Sequence, residues 1–277
     1  MAGIRLTRPL IIGLLGLTGS LWGQVPLPPA NLVTVPTAGT PQRGMFEVEL
    51  LMQRDGGVLG RLGVGFSDRF SLGLSYSVQR FIGDDTISFQ PLPEAQLKYR
   101  VIDESFSLPA IAIGLDSQGR GEFWEATIDS ANGNPQIAMA RYDVKAIGLY
   151  LVVSKNWQIF GNFGSHLGLS KNVWESDDVE NGLNLFVGFD KDIAPGLGVF
   201  LEYNAALDDN GYEAKITRDK LKELTVGKGK GYLNAGIRWH LASNFYMEVD
   251  LNDILVNKGG GVQYFSRELK VVYSEIF

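Results

Sequence analysis

The stretch that decides the fold of this 277-residue chain is RELKVVYSEIF, residues 267–277. Successive side chains of a β-strand point to opposite faces, and this stretch alternates accordingly. One face carries Leu269, Val271, Tyr273 and Phe277, and the other carries Glu268, Lys270 and Ser274. A soluble domain has no reason to end a strand on a terminal Phe, so the stretch predicts the last strand of a membrane-embedded barrel.

The same period of two recurs about twelve times from Phe46 onward. It is clearest in FSLGLSYSVQ, residues 70–79, where Phe70, Leu72, Leu74, Tyr76 and Val78 alternate with small or polar residues. A period of two indicates strands and not helices. Alternation alone fits a soluble sandwich as well, because both folds have one apolar and one polar face.

Two further patterns favour a barrel. Connections after odd strands are mostly long, for example residues 116–144, whereas those after even strands are tight, for example residues 67–69. Barrels of the outer membrane sort their loops in this way, and Greek-key sandwiches do not. Aromatic residues of apolar parity also lie beside the short turns and predict a membrane-interface girdle, although aromatic residues are common in ordinary cores. The predicted girdle comprises Phe66, Phe70, Trp157, Phe189, Trp239, Phe245, Tyr273 and Phe277.

The terminal strand resembles the closing strand of bacterial outer-membrane β-barrel proteins, which end on Phe after apolar residues at alternate positions. Glu275 departs from that pattern, at a place that would lie at the membrane edge. The resemblance implies an all-β fold: a closed, antiparallel, up-and-down transmembrane β-barrel of about 12 strands. It also implies a location in the outer membrane with both termini periplasmic. The implied partners are outer-membrane lipid and the barrel-assembly machinery, which reads the C-terminal strand.

Composition and charge set the domain boundaries. Arg5 and Arg8, followed by a short apolar run, predict a cleaved export signal over residues 1–23. Residues 24–43 are rich in proline and predict an extended periplasmic lead-in, with folding into the lumen as the open alternative. Residues 44–277 form the predicted barrel. The chain has no Cys and a formal charge of −6, so neither disulfides nor a nucleic-acid partner are expected.

Charged residues of both signs have lumen parity and predict a network inside the barrel, because unpaired buried charges are costly. The set is Glu47, Glu49, Arg61, Lys98, Arg100, Glu202, Arg238, Glu248, Asp250, Arg267, Glu268 and Lys270. At about twelve strands the lumen is either filled by ion pairs or open as a polar passage. The sequence favours a filled or narrow lumen, with a general porin as the alternative.

An outer-membrane hydrolase is a further alternative. Both His166 and His240 have lumen parity, and Ser165 next to His166 would need that histidine as its base. Loop acids at 177, 178, 208 and 209 show no catalytic spacing. No metal-ligand spacing or cofactor motif is present, so a non-enzymatic protein without cofactor or metal is predicted.

Two stretches, GVGFSDRFSLGLSY over residues 63–76 and SLPAIAIGLDSQG over residues 107–119, look like YjbH-like barrel proteins linked to exopolysaccharide production. The resemblance implies a role in surface polysaccharide export together with export proteins. It carries no catalytic residue to this chain.

Overall fold

The computed structural model describes residues 29–124, 128–129, 136–137, 140–175, 182–209, 229–257 and 265–277. The predicted export signal lies outside these ranges. Twelve strands form the barrel. They are β1 (Met45–Met52), β2 (Val58–Ser67), β3 (Phe70–Gln79), β4 (Glu94–Ile102), β5 (Ala110–Asp116), β6 (Gly148–Gln158), β7 (Asn162–Lys171), β8 (Asn184–Ala194), β9 (Leu197–Asn204), β10 (Tyr232–Ala242), β11 (Phe245–Asn252) and β12 (Ser266–Ile276).

Every strand pairs antiparallel with its neighbours in sequence, and β12 closes the sheet onto β1. The closing register runs from Met45 opposite Ile276 to Met52 opposite Leu269. The Phe277 backbone N–H donates to the carbonyl of Gly44 at 3.0 Å, and its ring lies 5.0 Å from that of Phe46. The predicted closed, twelve-stranded antiparallel barrel is confirmed.

The alternating faces of the strands meet different surroundings. Leu74 and Val249 on the outer face are each 53% exposed, whereas Ser75 and Asp250 on the inner face are buried. In a sandwich the apolar face would be the buried one, so closure of the sheet decides between the two folds that alternation allowed. No helix in the described ranges is long and apolar enough to cross a membrane.

The ends of the barrel differ, as the loop lengths predicted. Both the start of β1 and the end of β12 lie at the end with the tight turns, called here the short-turn end. In the described ranges, five short strands and a 3-10 turn, Arg54–Gly56, lie outside the twelve barrel strands. Ser88–Phe89 pairs with β3, Arg120–Trp124 with Arg141–Val144, and Ile128–Asp129 with Gln136–Ile137.

The proline-rich segment follows the alternative, folding into the lumen, and not the predicted periplasmic lead-in. Residues 29–42, called the plug from here on, lie inside the barrel, and residues 24–28 lie outside the described ranges. Leu32, Val33 and Val35 are buried against side chains of the barrel wall, among them Phe186 and Phe200. The prolines of this segment correctly excluded a central strand. They could not indicate whether the segment lies in the periplasm or in the lumen.

Candidate functional site

The plug is a tight hairpin that closes on itself. The backbone N–H of Leu32 donates to the carbonyl of Val35 at 3.0 Å, and that of Thr37 donates to Ala30 at 3.1 Å. Asn31 and Pro36 form an isolated antiparallel bridge. The hairpin therefore satisfies part of its own backbone and presents its tip, residues 32–35, to the lumen.

One carboxylate of the barrel wall holds the tip. Glu202 on β9 accepts hydrogen bonds from the backbone N–H groups of Val33 at 3.0 Å, Thr34 at 2.9 Å and Val35 at 3.1 Å. The Thr34 hydroxyl and the Asn234 side chain also donate to it. Consecutive backbone amides form a concavity suited to an anion, and here the anion belongs to the wall. Glu202 is 1% exposed, so these donors replace its water.

The apolar side of the tip fits over glycines of the wall. A Cβ atom at Gly188 would lie 2.2 Å from Leu32 Cδ1, and one at Gly236 would lie 3.1 Å from Val33 Cγ2. The absence of a side chain on these inward positions therefore leaves the space that the plug fills. Glycine in a strand often marks such a close approach of another backbone.

Basic side chains hold the plug through its carbonyl groups. Lys98 donates to Ala30 and, at 3.2 Å, to Gly39. Arg238 donates to Asn31 at 3.4 Å, and Arg120 donates to Val33 at 2.8 Å. Polar groups of the lumen are thus used to satisfy the backbone of the plug, which lacks a sheet partner.

A Ser–His–Asp chain lies beneath the plug. His166 Nδ1 is 2.8 Å from Ser154 Oγ, and Nε2 is 2.7 Å from Asp190 Oδ1. The Ala38 backbone N–H donates to the same serine oxygen at 2.8 Å. All three wall residues are at most 5% exposed, so a substrate has no access to Ser154 while the plug is in place. The arrangement is that of a buried polar network supporting the plug.

The serine weighed in the sequence analysis is on the other face of its strand. Ser165 alternates with His166 on β7, and its hydroxyl contacts the Trp157 indole N–H at 3.3 Å. The alternation of side chains along β6 and β8 places Ser154 and Asp190 on the inner face, as it does His166 on β7. The sequence could therefore have identified them as candidate partners of His166. Asp190 lies within β8, which continues to Ala194.

Most of the predicted lumen charges lie on the inner face, where several pair. Arg238 Nε is 2.5 Å from Glu248, which Lys270 also contacts. Arg61 lies 3.5 Å from Glu49, and Glu268 pairs with Arg120. The inward residues are Glu47, Glu49, Arg61, Lys98, Arg100, Glu202, Arg238, Glu248, Asp250, Glu268 and Lys270.

Two members of that set differ in their surroundings. The prediction for Arg267 is wrong, because it shares the outer face with Leu269, is exposed, and places its guanidinium 5.7 Å from the Phe265 ring. Arg100 lies at the short-turn rim, where it binds the Asp103 carboxylate at 2.9 Å. The position of a residue in the alternation of a strand decides whether it faces the lumen or the outside. Its ion-pair partner depends on which side chains lie across the lumen.

The connection between β5 and β6 folds inward, which the sequence did not indicate. Arg120, near its start, reaches both Glu268 on β12 and the carbonyl of Val33 in the plug. Near its end, Arg141 binds Asp209 at 2.6 Å, and the Tyr142 hydroxyl donates to Glu94 at 2.9 Å. This inward loop, residues 117–147 where described, therefore bridges opposite walls above the plug.

The buried carboxyl of Glu175 fixes the inward loop to the long-loop end, and the buried carboxyl of Asp208 lies nearby. Glu175 accepts hydrogen bonds from the backbone N–H of Tyr142 at 3.3 Å and of Ala146 at 3.1 Å. Burial raises the pKa of Glu175 to about 7. Burial, and next the charge of Asp209, raises the pKa of Asp208 to about 6. Both groups therefore change charge close to neutral pH.

A cavity of about 560 Å³ lies between the plug and the inward loop. Val33 and Thr34 of the plug lie on one side of it, and Arg120 and Glu122 of the inward loop also line it. In the described part of the chain, no group of three or more side chains could hold a metal ion.

The aromatic residues of the predicted girdle all have outward parity near the short-turn end. Trp239 is 58% exposed and Trp157 is 47% exposed. Neighbouring rings contact one another, as with Phe66 and Phe70, whose centroids are 5.9 Å apart. Tyr273 and Phe277 at the end of β12 extend the same level.

No protein-family model and no curated protein matches this chain. Similar solved structures include the KdgM porin, at 12% identity over 84% of this chain and 99% of that chain, with a TM-score of 0.42. The NanC porin is 10% identical over 84% and 99%, with a TM-score of 0.40. An outer membrane channel from Pseudomonas putida F1 is 12% identical over 85% and 97%, with a TM-score of 0.38. TM-scores this low do not indicate a shared function. The barrel fold is established by the strand pairing of this chain.

Proposed function

We propose that this protein is a non-enzymatic outer-membrane β-barrel whose passage is narrow or closed because its own N-terminal segment occupies the lumen. The observation that carries the proposal is the plug, held by Glu202 and by the basic residues around it. A general porin needs a water-filled lumen, whereas this one contains a protein segment.

The outer face supports the membrane location. Large apolar side chains such as Leu62, Leu167 and Ile237 are each at least 50% exposed around the barrel. Soluble monomers rarely expose a continuous apolar surface of this extent. Lipid is the solvent in which such a surface is stable, so outer-membrane lipid is the proposed partner of this face. Recognition of the C-terminal strand by the barrel-assembly machinery, with periplasmic termini, belongs to the same proposal.

Planar-bilayer recording tests the passage. We expect small or no conductance for the full barrel and a large, steady conductance after deletion of residues 30–41. The variant Ala38→Cys with Ser154→Cys provides a second arm, since the chain has no other Cys. Oxidation of this pair should tie the plug to β6 and keep conductance low, and reduction should restore wild-type behaviour. Large channels in the wild-type protein, unaffected by the disulfide, would contradict the proposal and favour a general porin.

The general porin remains the second candidate because many inward side chains, such as Lys98, Glu248 and Asp250, are charged, as in conducting barrels. A link to surface polysaccharide export is also part of the proposal, supported by the two sequence stretches that look like YjbH-like proteins. Deleting the gene should then change the amount or composition of surface polysaccharide. An unchanged cell surface would remove this link and leave the plugged barrel unaffected.

A further inference from the structure

We propose that the cavity above the plug binds a neutral, hydroxyl-rich molecule such as a short carbohydrate. The inference deepens the proposed function, because it concerns the lumen of the same barrel. The cavity volume of about 560 Å³ lies within the range of roughly 300–1,000 Å³ that small-molecule sites occupy.

Several polar groups on one wall lack partners among the described residues. Asn252 is 8% exposed, yet within the described ranges neither its side-chain nitrogen nor its oxygen has a hydrogen-bond partner. Gln53 is 7% exposed, and its side-chain nitrogen and the Ser266 hydroxyl likewise have no partner in that part of the chain. All three line the cavity. Native proteins leave few buried polar groups unsatisfied, so such a cluster requires an explanation.

These polar groups lie on or beside adjacent strands. Asn252 at the end of β11 is directly opposite Ser266 at the start of β12. Gln53 follows β1, which pairs with β12, and its oxygen already accepts from Gln79 at 2.9 Å. Adjacent strands are about 4.8 Å apart, so these groups offer several donors and acceptors along one wall of the cavity.

The charges of the cavity wall disfavour an anionic ligand. The basic residues of the cavity wall already have acidic partners: Arg80 binds Glu122 at 2.6 Å, and Arg120 binds Glu268. Lys270 contacts Glu248 and lies 3.5 Å from Asp250. An anionic ligand would have to break one of these pairs. A hydroxyl both donates and accepts, as the Asn252 amide does, and it needs no ion pair to be broken.

Calorimetric titration of the full detergent-folded protein tests the site. The probes are the neutral disaccharides maltose, cellobiose, lactose and sucrose, with glucuronate and glucosamine as charged comparisons. We expect saturable binding of at least one neutral disaccharide. Asn252→Leu should weaken that binding about tenfold or more, because it removes a donor and an acceptor at once. Asn162→Leu, at the opposite end of the barrel, is the matched control and should leave the binding unchanged.

Absence of saturable binding for all four disaccharides would overturn the proposal, as would equal affinity in Asn252→Leu and wild type. Binding of only the charged sugars would overturn it too. These outcomes are separate from those of the bilayer experiment. If deletion of the plug opens a channel but no disaccharide binds, the binding site fails and the plugged-barrel function stands.

Discussion

Replacing Glu202 by Ala should release the plug from the lumen. The carboxylate accepts from three backbone N–H groups at 2.9–3.1 Å and from the Asn234 side chain at 2.7 Å. Hydrogen bonds to charged groups contribute about 1.5–3 kcal/mol each, but a buried carboxylate also has a large desolvation cost. Glu202→Ala leaves the three backbone N–H donors without this acceptor at about 1–3 kcal/mol each, and after subtraction of the desolvation cost of the carboxylate the net loss should be about 3–5 kcal/mol. The ratio of docked to released plug should therefore fall by roughly two to four orders of magnitude.

Thiol labelling measures the release directly. Ala38→Cys is a small change at a position that is 1% exposed, and the chain contains no natural Cys. A maleimide should label this cysteine slowly in the otherwise wild-type barrel and rapidly when Glu202→Ala is added. Bilayer conductance should rise in the same variant.

The matched control is Glu47→Ala, which removes an inward carboxylate that makes no hydrogen bond to the described residues of the plug. It should leave both labelling and conductance at the wild-type level. Slow labelling together with unchanged conductance in Glu202→Ala would refute the reasoning, because the plug would then be held without its principal anchor.

Three further changes test other parts of the lumen. Gly188→Ala would place a Cβ 2.2 Å from Leu32 Cδ1. The resulting overpacking, about 1–3 kcal/mol, should speed maleimide labelling of Ala38→Cys. Gly63→Ala is the control, because its nearest contact is 3.9 Å away, and it should leave the labelling rate unchanged. The pKa of Glu175, raised by burial to about 7, means that the folded protein holds this proton more tightly than the unfolded chain. The resulting stabilisation, about 3 kcal/mol at most, is complete below pH 4.5 and is lost as the pH rises towards 7. After correction for the intrinsic pH dependence of exchange, the protection factor of the Ala146 amide should therefore fall over that interval in wild type but not in Glu175→Gln. Equal profiles of the protection factor against pH would contradict the assignment. His166→Ala should leave hydrolysis of ester substrates at background while loosening the plug through Ser154, and a measurable wild-type hydrolysis lost in this variant would instead indicate a catalytic role.

The sequence by itself determined the strands, the face on which each side chain lies, and the sorting of loops by length. These features follow from local geometry, since a strand alternates its side chains whatever it packs against. The final stretch of the chain accordingly predicted a closing strand, and Phe277 does pack beside Phe46 of β1. The assignment of Arg267 to the lumen was wrong for a local reason that the sequence already contained. Arg267 alternates in step with Leu269 and Val271, which lie on the outer face.

Only the tertiary structure decided what fills the barrel. Contacts across the lumen join residues far apart in the chain, such as Val33 with Glu202 and Arg120 with Glu268. No local pattern encodes them, because they depend on strand order and on the path of segments without regular structure. The prolines of the plug excluded a strand, but its place in the lumen follows from the carboxylate that binds its amides and the glycines that make room for its side chains.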